Sequence, residues 1–137
     1  QKEIADDDKV TEITDSEYNQ LILEEISSNS LRSADINTKA TLKGLTNKSY
    51  KFNMASWTQP NHNGFTVKLS EMSSKGGVDY CIIIKEDDTV IYKKYFTRAA
   101  ILTVKANNNS RYEIIIVNQS TDTFLYRVKI NSCIRKY

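Results

Sequence analysis

The sequence predicts a mainly β protein: an antiparallel β-sandwich of jelly-roll type, with about eight strands and one short N-terminal helix. From residue 36 onward, apolar residues recur at every second position in short runs. Clusters of Gly, Asn, Asp and Ser separate these runs, as turns separate strands. Many short strands at such spacing favour two packed sheets, and a closed β-barrel is the alternative.

A short helix is predicted over about residues 15–26, ahead of the strands. Thr14 and Glu17 have the spacing of a capping box. Apolar residues, beginning with Tyr18 and Leu21, then recur at intervals of three and four positions, and the polar run SSNS ends the pattern. We expect this helix to close one open end of the sandwich or to pack across a sheet.

Eight runs have the alternation expected of strands, and short polar connections indicate which of them form hairpins. The acidic turn EDD is expected to join the fourth run to the fifth in one hairpin, and QSTD the last two in another. The eight runs are residues 36–43, 50–57, 64–71, 79–85, 89–96, 99–106, 111–118 and 123–130.

Two isoleucine triplets interrupt this alternation. They are residues 82–84 and 114–116. Strands that are covered on both faces have such continuous apolar runs, so we expect both triplets to be buried on both sides.

Charge is distributed unevenly along the chain, which has a net charge of +2 over 137 residues. Residues 1–25 contain nine acids and two lysines, whereas the remainder contains 17 Lys and Arg against eight acids. Residues 1–13 have few apolar groups to offset the entropy lost on ordering. The sequence therefore predicts a flexible acidic arm over residues 1–13, followed by a single domain over residues 14–137.

The two cysteines, Cys81 and Cys133, are each expected to lie inside a strand. They form a disulfide if those strands are neighbours, and otherwise are two buried thiols; the sequence leaves both alternatives open. With His62 as the only histidine, they do not supply the ligands of a zinc site.

Export is expected from the start of the chain. It begins with Gln1 rather than Met, as after removal of a targeting segment, although trimming would give the same start. No apolar run approaches the roughly 18 residues of a membrane span. We therefore expect a secreted or extracellular cell-surface protein.

Several motifs in the chain resemble those of the bacterial pre-peptidase C-terminal domains, small β-sandwiches appended to secreted proteases and collagenases. The matching features are Tyr50-Lys51-Phe52, the strand GFTVKLS, Asp79-Tyr80 and the tyrosine strand at residues 109–114. Ser110-Arg111 stands where that family usually has Gly-Thr.

This resemblance implies a non-catalytic module that assists binding or secretion. In collagenases the implied acidic N-terminal linker holds calcium, and Asp6, Asp7 and Asp8 would correspond to it here. No cofactor is otherwise expected.

Catalytic motifs are not found in the sequence, so we do not expect an enzyme. His62 has no nucleophile in a recognisable motif beside it, and no phosphate-binding glycine loop or metalloprotease helix occurs. The acidic run Glu86-Asp87-Asp88 is a further weak candidate for calcium, whose oxygen ligands tolerate irregular loops.

Two groups of residues are candidates for binding. The loop TQPNHNGF places polar groups beside an aromatic residue, and a later strand interleaves aromatic and basic residues. Nucleic acid is not expected, because lysines that alternate with tyrosines are typical of the solvent face of a sandwich. The candidate ligand-binding residues are Trp57, Gln59, His62, Tyr92 and Tyr95, and those for a membrane or anionic surface are Lys93, Lys94 and Arg98.

Two hypotheses for function follow. The first is a non-catalytic, exported bacterial binding module for a protein, peptide or polymer. The second is a cell-surface immunity lipoprotein that sequesters a cationic antimicrobial peptide at the membrane, because a basic body suits an anionic surface and the build is similar to that of small lantibiotic-immunity lipoproteins. The second requires a lipidated cysteine just upstream of Gln1.

Overall fold

The computed structural model describes residues 3–5, 8–27, 36–54 and 62–133. Within these ranges the chain forms one helix and nine strands. The helix α1 comprises Asp15–Ser27, and the strands are β1 Val10–Glu12, β2 Ile36–Leu42, β3 Asn47–Asn53, β4 Gly64–Ser74, β5 Tyr80–Glu86, β6 Thr89–Phe96, β7 Ala100–Lys105, β8 Arg111–Asn118 and β9 Phe124–Cys133.

The strands form two antiparallel sheets, which confirms the predicted β-sandwich. The five-stranded sheet has the order β1-β7-β4-β9-β2 and the four-stranded sheet the order β3-β8-β5-β6. The eight strands from β2 onward pair first with last: β2 with β9, β3 with β8, β4 with β7 and β5 with β6. This nesting is the topology of a jelly roll.

The core lies between the two sheets and consists of the inward-facing residues of alternating strand positions. Phe65, Val67 and Leu69 of β4 are fully buried, as the period-two pattern predicts. The hydroxyls of Tyr50 and Tyr126 lie 2.8 Å apart and join β3 to β9 across the sandwich. This polar contact satisfies two groups that would otherwise be buried without partners.

The second predicted hairpin is wrong. β8 belongs to the four-stranded sheet and β9 to the five-stranded sheet, so residues 119–123 carry the chain from one sheet to the other. Apolar alternation indicates that both segments are strands, but it does not identify the partner of either one. The first hairpin, β5 with β6, is confirmed.

The crossing between the sheets is fixed by one buried asparagine. The side-chain amide of Asn118 donates to the carbonyl oxygens of Leu42 at 3.2 Å and Asp122 at 2.8 Å. It thereby ties the turn between β2 and β3 to the turn between β8 and β9. Gly44 is required there, because a Cβ at this position would collide with the backbone of Thr121.

The isoleucine triplets are fully buried on the core face and half-buried on the outer face, so the expectation of burial on both sides is wrong for their middle residues. Ile82 and Ile84 are fully buried in the core, whereas Ile83 lies on the outer face beside Ile115 and is half-buried.

The helix begins as predicted. The Thr14 Oγ1 accepts from the N–H of Glu17 at 3.1 Å, and Glu17 Oε1 accepts from the N–H of Thr14 at 3.0 Å. α1 packs on the outer face of the five-stranded sheet, where the Lys68 ammonium lies 4.7 Å from the centre of the Tyr18 ring. Of the two predicted placements, the structure has the helix across a sheet. No helix in the described ranges is long and apolar enough to span a membrane.

Part of the predicted acidic arm forms regular structure instead. Val10, Thr11 and Glu12 pair with β7 as β1, and Val10 is buried in the core. Because β7 supplies the hydrogen-bond partners and the apolar neighbours, the local composition of these residues does not reveal the strand.

The cysteines are both buried and are not joined by a disulfide. Cys81 lies in β5 and Cys133 in β9, so they belong to different sheets. Burial raises the pKa of the Cys81 thiol, which keeps it protonated and unreactive at neutral pH.

Candidate binding surface at strand β6

Strand β6 and the connection after it bring half of the sequence-predicted binding residues to one edge of the four-stranded sheet. It is the outermost strand of that sheet, with β5 on its inner side. Along β6, Lys93 and Tyr95 point to the outer face and Lys94 to the inner side, because successive side chains alternate. Arg98 follows in the connection to β7, where its carbonyl oxygen accepts from the Tyr80 hydroxyl at 2.7 Å. We call Lys93, Lys94, Tyr95 and Arg98 the basic edge.

The N-terminal residues of the chain occupy part of this edge. The N–H of Ile4 donates to the carbonyl oxygen of Lys93 at 2.9 Å, and the N–H of Lys93 donates to the carbonyl oxygen of Ile4 at 2.6 Å. One carboxylate oxygen of Glu3 accepts from the N–H of Tyr95 at 3.0 Å. Residues 3–5 are therefore held against β6 as a short antiparallel strand would be.

Glu12 places a second carboxylate against the basic edge from the other sheet. Its Oε2 lies 2.7 Å from Arg98 Nη1, and its Oε1 lies 3.4 Å from Lys94 Nζ. The hydrogen bond from Arg98 holds the pKa of Glu12 below its usual value, and Lys94 adds to this effect, although partial burial opposes it. Glu12 therefore links the edge strands β1 and β6 as an ionised group.

Aromatic rings support the cations of the basic edge. The Lys93 ammonium lies 5.8 Å from the centre of the Tyr95 ring, and Lys94 and Arg98 lie 5.5 Å and 5.7 Å from that of Phe96. Contacts of this kind hold a cation over a ring face. The side chains stay accessible, because Lys94 is 41% exposed and Arg98 is 62% exposed.

Two predicted ligand-binding residues are placed differently. Tyr92 faces the core and is buried, and this burial raises the pKa of its hydroxyl. His62 is buried beside Ser132, with its Nδ1 2.9 Å from the Ser132 Oγ. Both residues belong to the packed interior rather than to an accessible surface.

The other predicted residues lie outside the described ranges or apart from β6. Trp57, Gln59, Asp6 and Asp7 are outside the described ranges, and Asp8 is exposed. In the part of the chain that the structure describes, no three His, Cys, Asp or Glu residues are grouped to hold a metal ion.

The acidic turn between β5 and β6 has a structural role in this fold. Glu86 pairs with Lys9 at 2.9 Å and accepts from the Ser110 hydroxyl at 3.1 Å. Asp87 accepts from the N–H of Arg111 at 2.9 Å, and this hydrogen bond lowers its pKa. These carboxylates thus join the hairpin to the N-terminal segment and to β8.

A second concave surface lies between α1 and the outer face of the five-stranded sheet. It is a groove of about 610 Å³ lined by Glu17, Gln20 and Leu21 of the helix and by Thr103 of β7, among others. Next to Thr103 in the sheet, the Thr66 hydroxyl is buried and has no hydrogen-bond partner among the described residues. The described residues that line the groove include none of the sequence-predicted binding residues.

Sequence reasoning missed the contribution of Glu3, Ile4 and Glu12 to this surface. The contacts of Glu3 and Glu12 with β6 span 92 and 82 positions of sequence, which no local pattern predicts. The available signal was the charge asymmetry, since an acidic segment ahead of a basic domain favours contact between the two.

Comparison with known proteins adds no assignment to this geometry. No family model matches the chain, and no curated protein matches it. The class defined here is thus an antiparallel jelly-roll sandwich with a basic edge strand.

Proposed function

We propose that this protein is a non-catalytic binding module that recognises an acidic protein or peptide segment through the basic edge. One observation carries the proposal: an acidic stretch of the chain itself is bound there. Glu3 contacts the N–H of Tyr95, and Glu12 contacts Lys94 and Arg98. The surface therefore has donors and cations at positions that suit carboxylates on a polypeptide.

A polypeptide suits this surface better than a lipid bilayer does. Two of the contacts with residues 3–5 are backbone hydrogen bonds to Lys93, which a lipid headgroup does not reproduce. Lys93 itself makes no ion pair in the described part of the chain, so its charge is available to a partner. Complementary charge of this kind steers association and fixes its orientation.

The test is the binding of poly-L-glutamate to the full chain. Fluorescence anisotropy measures this binding at about 20 mM and about 150 mM salt. Lys93→Glu reverses the accessible charge on β6. Lys75→Glu is the matched control, because Lys75 is an exposed lysine in the turn after β4, where it lies near Asp122, Thr123 and Leu125. Arg98→Gln serves as a second variant of the basic edge.

We expect poly-L-glutamate to bind the wild type and to be weakened by added salt. The affinity should fall about tenfold with Lys93→Glu and stay unchanged with Lys75→Glu. Equal losses in both variants would mean that only net charge matters. Vesicles containing phosphatidylserine are tested in parallel. If the protein binds these vesicles but not poly-L-glutamate, the proposal is overturned in favour of a lipid surface.

Export, the likeness to pre-peptidase C-terminal domains and the lack of catalytic activity stay predictions. Export is tested by detection of the protein in culture medium or on the cell surface.

The rival hypothesis, an immunity lipoprotein that binds a cationic peptide, also stays a prediction. It requires accessible acids, whereas the carboxylates of Glu3 and Glu12 are engaged by the chain's own donors.

A further inference from the structure

We infer that the partner binds as an added strand on β6, and that residues 3–5 of the chain compete with it for that position. This inference rests on the proposed function, since it names the conformation of the acidic segment that the basic edge recognises. Strand addition uses backbone hydrogen bonds for affinity and alternate side chains for specificity.

The edge of β6 has the outward-facing backbone groups that strand addition requires. β5 pairs with one side of β6, and the other side directs both backbone groups of Lys93 and the N–H of Tyr95 outward. A β-bulge opposite Ile84 interrupts the strand nearer its start. The accessible edge is therefore short, about the five residues from Tyr92 to Phe96, and fits a correspondingly short peptide.

Among the described residues, the chain's own N-terminal segment occupies the edge of β6 through one bridge. Ile4 forms an isolated bridge rather than a strand, and it is 41% exposed. Ordering such a segment offsets much of what a single bridge contributes. A partner that adds further backbone pairs along β6 can therefore displace residues 3–5.

The bound residues also indicate the chemistry of the partner. An acidic residue contacts the N–H of Tyr95, and the next residue, Ile4, pairs with Lys93 in antiparallel orientation. Lys93 on the outer face adds a positive charge beside the added strand. The expected partner is an extended segment in which an acidic residue precedes an apolar one.

Edge protection explains the same features without a partner. An inward-pointing lysine such as Lys94, a bulge and a covering segment all prevent unwanted pairing between sheets. The two explanations differ in one observable: a covering segment that only protects should not be replaced by a free acidic peptide.

The experiment uses a labelled peptide with the sequence of residues 1–7, QKEIADD, and the full chain. Ile4→Pro in the chain removes the N–H that donates to Lys93 and so loosens residues 3–5. Ala5→Pro is the matched control, because the N–H of Ala5 makes no hydrogen bond in the described part of the chain. Glu3→Gln is a second loosened variant that keeps the backbone unchanged. A second peptide carries an N-methyl group on its isoleucine amide.

We expect the unmodified peptide to bind Ile4→Pro at least about tenfold more tightly than it binds the wild type or Ala5→Pro, with Glu3→Gln intermediate. The methylated peptide should lose this gain, since it cannot donate to Lys93. Equal binding of the two peptides, or equal binding to all four proteins, overturns strand addition. If poly-L-glutamate still binds in that case, the proposed function stands; if it does not bind either, both fail.

Discussion

The backbones of Ile4 and Lys93 exchange two hydrogen bonds, 2.9 Å and 2.6 Å long, at the outer edge of β6. This pairing brings an acidic segment from the start of the chain onto the strand that carries Lys93 and Lys94. Eight positions after Ile4, Glu12 reaches Lys94 and Arg98 from the opposite sheet. The N-terminal segment thus joins the two sheets on the side where β6 leads into β7.

The ion pairs of Glu12 predict a pH-dependent stability. Its lowered pKa means that the ionised carboxylate stabilises the fold above its usual pKa of 4.5, and that this contribution is lost as the pH falls through the lower, folded-state value. We expect Glu12→Gln to reduce the free energy of unfolding by about 0.5–1 kcal/mol near neutral pH, allowing for solvent screening. Chemical denaturation at a series of pH values measures the difference.

The same series contains its own internal check. At a pH below the folded-state pKa of Glu12, the wild type and Glu12→Gln should have the same stability. Asp88→Asn is the matched control, because Asp88 is an exposed acid in the β5–β6 turn, and asparagine tolerates its positive φ of 71°. A difference between Glu12→Gln and the wild type that persists unchanged in acid would contradict the ion-pair account.

The hydroxyl pair of Tyr50 and Tyr126 predicts strong coupling across the core. Either single change to Phe leaves one buried hydroxyl without its partner, at a cost of about 1–2 kcal/mol. The double variant removes both hydroxyls and should cost less than the sum of the two single changes. Chemical denaturation of all four proteins gives the double-mutant cycle, and additive losses would show that the hydroxyls are not coupled.

The crossing between the sheets predicts that Asn118→Ala is strongly destabilising. The change removes the amide that bonds Leu42 and Asp122, as well as the oxygen that accepts from the N–H of Ser120 at 2.9 Å. We expect a loss of about 2–3 kcal/mol in the free energy of unfolding. Asn37→Ala loses an exposed hydrogen bond to Arg127 and should change stability by less than about 0.5 kcal/mol. Similar effects at both sites would argue against the buried network.

A strained turn residue predicts a stabilising substitution. Leu45 has a φ of 60°, a left-handed conformation that branched side chains avoid, and its side chain is 67% exposed. Leu45→Asn should raise the free energy of unfolding by about 0.5–1 kcal/mol, because asparagine adopts this conformation more readily. Leu125→Asn, on an exposed strand position of β9, should give no gain. Thermal unfolding compares the stabilities of the two variants. A lower stability of Leu45→Asn than of the wild type would contradict the account of backbone strain at Leu45.

The strands from β2 onward were predictable because alternation between core and solvent is a local property. Apart from the β5–β6 hairpin, their partners were not predictable, and the last two strands show why. β8 and β9 are both apolar and alternating, and a short polar turn connects them, but hydrogen bonds of the buried Asn118 direct them to different sheets. The short strand β1 was missed for a related reason: Val10 is buried only because β7 and the core provide its neighbours.

The binding surface was predictable to the extent that its residues are close in sequence. Lys93, Lys94 and Tyr95 are consecutive and Arg98 follows closely, so interleaved charge and aromatic character indicated them together. The contacts made by the N-terminal residues depend on the folded arrangement of distant segments. The burial of Tyr92 was likewise not evident, because the bulge in β6 turns both Ile91 and Tyr92 toward the core.

The most direct test of the central claim is an NMR titration of the ¹⁵N-labelled full chain with poly-L-glutamate. If the basic edge binds acidic polypeptides, the largest amide shift changes will fall on Lys93, Lys94, Tyr95 and Arg98, with further changes at Ile4 as residues 3–5 are displaced. Shift changes confined to α1 and the groove beside Thr103, or no changes at all, would contradict the claim.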